Sequence, residues 1–117
     1  MTVVGGTGAS DTLNLTGDVY GSTLQYVSAI ENYTVTDGVA TSMTLAAGNV
    51  ASGKTLTINA ETMTSSLVAL TVDANAVTAG QVIIVGGVGN DVITGTSSLT
   101  AGDMITGGLG NDSITFG

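Results

Sequence analysis

The sequence predicts an all-β chain folded as a right-handed parallel β-helix, a solenoid in which short strands stack coil upon coil. Three observations lead to this expectation. Short apolar segments recur along the chain at near-constant spacing, which is typical of a solenoid. No long window repeats apolar residues at helical spacing. The chain is also rich in residues that form helices poorly, with 18 glycines and 20 threonines among 117 residues.

Nine short strands are predicted, each followed by turn residues such as Gly, Asn, Asp, Ser or Thr. They cover residues 12–16, 33–36, 42–46, 54–60, 67–73, 81–85, 91–94, 103–106 and 112–116. The segment 46–51 is long enough for a single helical turn.

Apolar and polar residues alternate within these strands, so one face of each strand is expected to be buried. In residues 54–60, Leu56 and Ile58 share one face, and threonines occupy the other. The step from Leu56 to Leu70 is 14 residues, and so is the step from Leu70 to Ile84. A sandwich of hairpins would also give short strands, but it would more often show Asn-Gly or Asp-Gly turns.

Composition excludes several classes of function. Asp plus Glu is 9 and Lys plus Arg is 1, which gives a net charge of −8, and the chain has no His and no Cys. A Ser-His-Asp triad and a zinc site with imidazole or thiolate ligands therefore cannot be built. A single lysine cannot follow a phosphate backbone, so we expect no nucleic-acid partner. No apolar run is long enough for a membrane-spanning helix, so we expect no membrane insertion.

Two segments near the C-terminus are close copies of each other. Residues 86–94 read GGVGNDVIT, and residues 107–115 read GGLGNDSIT. Between them, residues 101–106 read AGDMIT, the second half of the same unit. This pattern resembles the GGxGxDxUx nonapeptide of the repeats-in-toxin (RTX) family, in which U is a large apolar residue and the repeats form a calcium-binding parallel β-roll.

The resemblance implies a Ca²⁺ ion between two stacked loops. Two nonapeptides make one coil in the family, so the loops at 86–91 and 107–112 should lie one above the other. Glycines expose backbone carbonyls, and Ca²⁺ takes six to eight oxygen ligands. The ligands implied are the carboxylates of Asp91 and Asp112 and the carbonyls near Gly86, Val88, Gly108 and Gly110. Ile93, Ile105 and Ile114 should point inward and stack.

Two further aspartates are weaker candidates for calcium ligands. Asp103 follows a loop, residues 98–102, that lacks the paired glycines, and its stacking partner is expected after residue 117. Asp11 ends a looser copy of the motif, GGTGASD at residues 5–11, with one residue more than the repeat. That extra residue argues against calcium binding at Asp11.

We therefore expect one β-solenoid, residues 1–117, that is a fragment of a longer protein. Residues 1–40 would hold the degenerate loop and the first coils, residues 41–85 a calcium-poor spacer, and residues 86–117 the calcium-binding repeats running into an RTX β-roll. With two isolated glutamates and few aromatic residues, we expect no enzymatic activity of its own.

The resemblance implies a calcium-binding structural module of a secreted or cell-surface bacterial protein. Among RTX-like proteins, this composition, with few charged residues and abundant Thr, Ala and Gly, is most similar to that of surface-layer (S-layer) subunits. In the family, chains leave the cell unfolded by type I secretion and fold on extracellular calcium. Self-association, or contact with neighbouring repeats, is the expected protein partnership. Three alternatives stay open: a repeat module of an adhesin, the folding aid of an RTX hydrolase or toxin, and a metal-free solenoid fibre unit.

Overall fold

The computed structural model describes residues 2–19, 24–95 and 100–116. This part of the chain is all-β and forms a solenoid of about five turns. Twelve strands follow one another along the chain. They are β1 (Val3–Val4), β2 (Thr12–Leu15), β3 (Asp18–Val19), β4 (Val27–Ser28), β5 (Asn32–Val35), β6 (Thr41–Thr44), β7 (Thr55–Asn59), β8 (Leu70–Asp73), β9 (Gln81–Val85), β10 (Val92–Gly95), β11 (Met104–Thr106) and β12 (Ser113–Phe116).

Successive strands alternate between two five-stranded sheets, and every described pairing is parallel. The first sheet has the order β2-β5-β7-β9-β11, and the second has the order β3-β6-β8-β10-β12. A third side exists only in the first coils, where β1 pairs with β4 and a 3₁₀ turn, Ala47–Asn49, lies against β4. The solenoid therefore has three sides in its N-terminal part and two strand-bearing sides in its last coils.

The strand register stacks apolar residues in columns that run through the coils. In the first sheet the column is Leu13, Tyr33, Ile58, Ile84 and Ile105. In the second sheet it is Met43, Val72, Ile93 and Ile114. Alternation along each strand turns these residues inward and the threonines outward. The two columns meet in one continuous apolar core.

Two buried polar residues of the first coils differ in how well their polar groups are satisfied. Asn49 donates from Nδ2 to the carbonyls of Leu24 (2.7 Å) and Val27 (2.9 Å), and its Oδ1 accepts the Ala46 amide (2.7 Å). Tyr33 is 0% exposed, and its hydroxyl has no hydrogen-bond partner. Burial raises the pKa of Tyr33 to about 12.

All nine predicted strands are present, and the predicted single turn is the 3₁₀ turn. Three two-residue strands, β1, β3 and β4, escaped prediction because they are too short to show alternation. One prediction was too long, since the strand predicted at residues 67–73 begins only at Leu70 and Leu67 is 92% exposed.

The expected single column of isoleucines is wrong. Ile93 and Ile114 stack on each other, but Ile105 lies in the first sheet and stacks on Ile84. Ile114 stays 39% exposed because no described coil covers it. No helix in the described ranges has the length and apolar character that crossing a bilayer requires.

Candidate functional site

The loops at 86–91 and 107–112 lie in successive coils, stacked one above the other. The strands that follow them pair in register, with Val92 opposite Ser113, a spacing of 21 residues. Backbone hydrogen bonds join the loops, since the Leu109 amide donates to the Gly87 carbonyl at 3.0 Å. The Asn111 amide also donates to the Asn90 side chain at 2.9 Å.

Glycine permits this close stacking. A Cβ added at Gly86 would collide with the carbonyl of Gly107, and one at Gly89 would collide with the carbonyl of Val68. Gly108 and Gly110 also have φ values of 97° and 114°, which side-chain-bearing residues rarely adopt. The repeated glycines are therefore explained by the distance between coils, whether or not an ion binds.

The Asp91 carboxylate is buried and satisfied by backbone amides. Asp91 is 1% exposed. Its Oδ1 accepts the Leu70 amide of the preceding coil at 2.7 Å, and its Oδ2 accepts the Gly87 amide of its own loop at 2.8 Å. In a regular parallel ladder the Leu70 amide would donate to the carbonyl of Asn90. The chain bends at Val88 and Gly89, just before this position, and the side chain of Asp91 accepts the Leu70 amide instead.

The same substitution is seen at five places where a coil enters a strand from a loop. At each place a side chain accepts the amide at the matching position of the coil before it. The donors and acceptors are Gly17 to Thr41 (3.3 Å), Asp11 to Glu31 (2.9 Å), Leu70 to Asp91 (2.7 Å), Val82 to Asp103 (2.7 Å) and Asp91 to Asp112 (2.9 Å). We call these five acceptor residues the capping acceptors.

Asp103 lies on the opposite side of the solenoid from Asp91 and Asp112, in the first sheet. Its Oδ1 accepts the Val82 amide, and its Oδ2 accepts the Thr100 amide at 2.6 Å. Its stacking contact is thus with the coil before it, whereas the repeat pattern predicted a partner after residue 117. Residues 98 and 99 of the predicted 98–102 loop are outside the described ranges.

The N-terminal loop, residues 5–11, folds its aspartate back in the same way but does not satisfy it. A Cβ on Gly5 would lie 2.8 Å from the Asp11 Oδ2, and a Cβ on Gly86 would likewise press on the Asp91 Oδ2. However, the Asp11 Oδ2 is buried and has no hydrogen-bond partner. The Gly6 amide, which corresponds in the motif to the Gly87 amide, therefore makes no hydrogen bond to the Asp11 Oδ2.

The stacked C-terminal loops bring together the residues that the sequence predicted as calcium ligands. Gly86, Val88, Gly108 and Gly110 all lie in the two stacked loops, and Asp112 is only partly buried. Asp91 contributes less, because both of its oxygens already accept amides, although each carboxylate oxygen retains a second lone pair. The described residues contain no group of three or more His, Cys, Asp or Glu side chains that could hold a metal by themselves.

A shallow groove runs over these loops. It is lined by Gly86, Gly87, Val88, Gly108 and Leu109 together with Glu61, Val85 and Thr106. Glu61 was not singled out as a ligand from the sequence, because it precedes the repeats by 25 residues. Glu31 was missed for a similar reason, since only the coil length of 20 residues reveals that it faces Asp11.

Compared with protein-family models, curated protein sequences and solved structures, the chain matches none of them.

Proposed function

We propose that this chain is a calcium-binding structural module of a secreted, cell-surface protein of the RTX type, most similar to a surface-layer subunit. The observation that carries the proposal is the stacking of two GGxGND loops in register, one coil apart. Both loops also share Asn and Asp at the same two positions, and a calcium ion shared by the loops would add to the backbone contacts that these side chains make.

The chain's own residues would prepare this site. The loop glycines bring the two backbones close, and the capping hydrogen bond from the Asp91 amide to the Asp112 Oδ1 orients the outer carboxylate. Calcium, when bound, supplies positive charge that offsets the repulsion among the acids of a chain with net charge −8. Glu61 also lines the groove over these loops.

A structural role is proposed in place of catalysis because the acids are used as backbone acceptors. Asp91, Asp103 and Asp112 each accept at least one amide from a neighbouring coil. A carboxylate held in this way aligns two coils. We therefore expect these residues to contribute to the assembly and stability of the solenoid.

One observation favours a second candidate, a solenoid unit that needs no metal. Both Asp91 oxygens are satisfied by the protein itself, so the inner loop is complete without an ion. The experiment must therefore compare folding with and without calcium, and it must not use Asp91, because changing that residue breaks two amide contacts in either case.

The test is thermal unfolding followed by far-UV circular dichroism in chelator, in calcium and in magnesium. The test variant is Asp112→Asn, which keeps an oxygen acceptor for the Asp91 amide but removes the charge. The matched control is Asp73→Asn, because Asp73 ends strand β8 and caps only the local Asn75 amide. We expect calcium, and not magnesium, to raise the Tm, and we expect Asp112→Asn to lose most of that rise.

If wild-type protein melts at the same temperature in chelator and in calcium, the calcium proposal is wrong and the metal-free solenoid replaces it. If Asp112→Asn and Asp73→Asn respond equally to calcium, the ion does not bind at the stacked loops.

A further inference from the structure

We propose that a cavity among the first coils binds a small zwitterion of the α-amino-acid class, with the ligand's ammonium group on Glu31 and its carboxylate on Lys54. The cavity has a volume of about 440 Å³ and lies where three successive coils meet, with a lining taken from residues 6–8, 28–31 and 48–54. This site is separate from the stacked C-terminal loops, and binding there does not depend on calcium at those loops.

The first argument is that two opposite charges line this cavity without pairing with each other. Lys54 carries the only cationic side chain of the chain, and Glu31 is one of its two glutamates. Among the described residues, no ion pair joins the Lys54 ammonium to the Glu31 carboxylate. The ammonium would repel a simple cation, and the carboxylate would repel a simple anion. A ligand that carries both charges therefore suits the cavity better than either ion does.

The second argument is that the Glu31 carboxylate is held by one oxygen and free at the other. Its Oε2 accepts the Asp11 amide at 2.9 Å, which fixes the position of the half-buried side chain. Its Oε1 accepts no hydrogen bond from the described residues, and it is not buried, so it is accessible from the cavity. A carboxylate oxygen already in place can accept a charge-assisted hydrogen bond from an ammonium group with little further ordering.

The third argument is that Lys54 is anchored by its backbone while its side chain is free. Its amide donates to the Ala51 carbonyl at 3.0 Å, and its carbonyl accepts the Gln81 amide at 2.9 Å. The side chain is exposed. A lysine ammonium on a flexible four-carbon stem can turn toward a carboxylate held in the cavity.

The rest of the lining is made of small residues, which leaves the space between the two charges open. It includes Gly6, Gly8, Ala29, Gly48 and Ala51. The volume lies within the range of about 300–1,000 Å³ that is typical of small-molecule sites. The methyl groups of the two alanines suit a ligand with a short apolar side chain, such as alanine.

The backbone around the cavity is fixed in an unusual conformation. Ala29 has a φ of 54°, and among the described residues it is the one without a glycine's freedom that adopts a positive φ. Strained residues of this kind are concentrated at binding sites. A Cβ on Gly5 would collide with the Ala29 carbonyl, so glycine lets the N-terminal loop approach this turn closely. On the third coil, the three hydrogen bonds of the Asn49 side chain hold the wall in place.

The test is a titration of ¹⁵N-labelled protein with L-alanine, followed by amide chemical shifts in calcium-containing buffer. Calcium is included so that a requirement for the ion at the C-terminal loops does not affect the result. We expect saturable binding with a Kd of about 1–10 mM, and we expect the largest shifts at the amides of Gly6, Gly8, Ser28 and Lys54. N-acetyl-L-alanine, which lacks the ammonium group, and L-alaninamide, which lacks the carboxylate, should each bind at least about tenfold more weakly.

Two variants assign each end of the ligand to its residue. Glu31→Gln keeps an oxygen for the Asp11 amide but removes the charge, and Lys54→Gln removes the ammonium. Each should weaken alanine binding at least about tenfold. Acetylation of the ligand should cost no further affinity in Glu31→Gln, and amidation should cost none in Lys54→Gln. A merely structural role of either residue would not produce this pairing of variant with ligand group.

Glu61→Gln is the matched control, because Glu61 is the other glutamate and lines the groove over the C-terminal loops. It should bind alanine as the wild type does. The proposal is overturned if wild type shows no saturable shifts, or if the shifts lie away from the cavity. It is also overturned if the two blocked ligands bind as well as alanine, a comparison on wild type that needs no variant to fold.

Discussion

In each of the loops 5–11 and 86–91, the first glycine lies against the aspartate that ends the loop. In only one of the two loops do both carboxylate oxygens have hydrogen-bond partners. In the C-terminal loop, Asp91 accepts one amide from its own loop and one from the preceding coil. In the N-terminal loop, the Asp11 Oδ2 is buried without a partner. Among the described residues, the other buried side-chain atom without a partner is the Tyr33 hydroxyl, in the coil next to Asp11.

The difference shows how one additional residue in a loop changes the hydrogen bonding of its carboxylate. With the six residues GGVGND, the Gly87 amide reaches Asp91 and the side chain becomes part of the backbone ladder. With the seven residues GGTGASD, the Asp11 Oδ2 is buried without a hydrogen-bond partner. The regular loop thus uses both oxygens of its aspartate for hydrogen bonds to backbone amides, and the irregular loop leaves one oxygen of its aspartate without a partner.

The largest expected effect is the contrast between Asp91→Ala and Asp11→Ala in chelator. Asp91→Ala leaves the Leu70 and Gly87 amides without acceptors, which should lower the free energy of unfolding by about 3–4 kcal/mol. Asp11→Ala removes no hydrogen bond made by its carboxylate, and it should change the free energy by less than about 1 kcal/mol. Urea unfolding measures both. Equal losses of unfolding free energy in the two variants would mean that the two carboxylates contribute equally to stability.

The sequence predicted the solenoid well because its signal is local. Alternation within five residues, as in β7, gives the strand and its buried face, and repeated spacing gives the stacking. The capping acceptors could not be predicted, because the bond from the Asp11 amide to Glu31 depends on a coil length of 20 residues that no short pattern contains. The unpartnered Oδ2 of Asp11 could not be predicted either, since it depends on which amide reaches a buried oxygen.

A second contrast concerns the equivalent glycines Gly89 and Gly8, neither of which has a left-handed backbone. A Cβ at Gly89 collides with the Val68 carbonyl of the preceding coil, whereas one at Gly8 has the Asp11 carboxylate at 3.4 Å as its nearest neighbour. Gly89→Ala should therefore destabilise by about 2–3 kcal/mol. Gly8→Ala should change stability by less than about 0.5 kcal/mol in chelator. Thermal melts of the two variants check this, and a reversed order would refute the equivalence of the loops.

Shortening the N-terminal loop by one residue removes the difference in length between the two loops. Deleting Ala9 converts GGTGASD to GGTGSD, the length of the C-terminal loops. The Gly6 amide should then reach the Asp11 Oδ2 as Gly87 reaches Asp91, and the free energy of unfolding in chelator should rise by about 1–2 kcal/mol. Deleting Ala74, which lies outside both loops, is the control and should destabilise. A loss of stability from the Ala9 deletion would show that the loop length serves another contact.

The smallest effect concerns Tyr33, the other unsatisfied group. Tyr33→Phe removes a hydroxyl that has no partner and should stabilise the chain by about 1 kcal/mol. The raised pKa of about 12 in the fold, against about 10 in the unfolded chain, favours the neutral form when folded. Wild-type stability should therefore be complete below pH 10 and fall between pH 10 and 12, because the unfolded state ionises first.

Urea midpoints measured across this pH range test the prediction, with Tyr33→Phe as the reference. The wild type should lose stability more steeply than the variant. Parallel pH profiles for the two proteins would show that the Tyr33 hydroxyl ionises as easily in the fold as in the unfolded chain.

The stacking of coils in chain order, each bonded to the one before, has a mechanical consequence. Force applied along the solenoid axis through the C-terminus loads the last coil first, and that coil can peel away while the others remain paired. The coil from Asp91 to Asp112 releases 21 residues, about 70 Å of extended chain. The molecule would thus lengthen in discrete steps under tension, and it would shorten again as each coil re-forms on the intact edge beneath it.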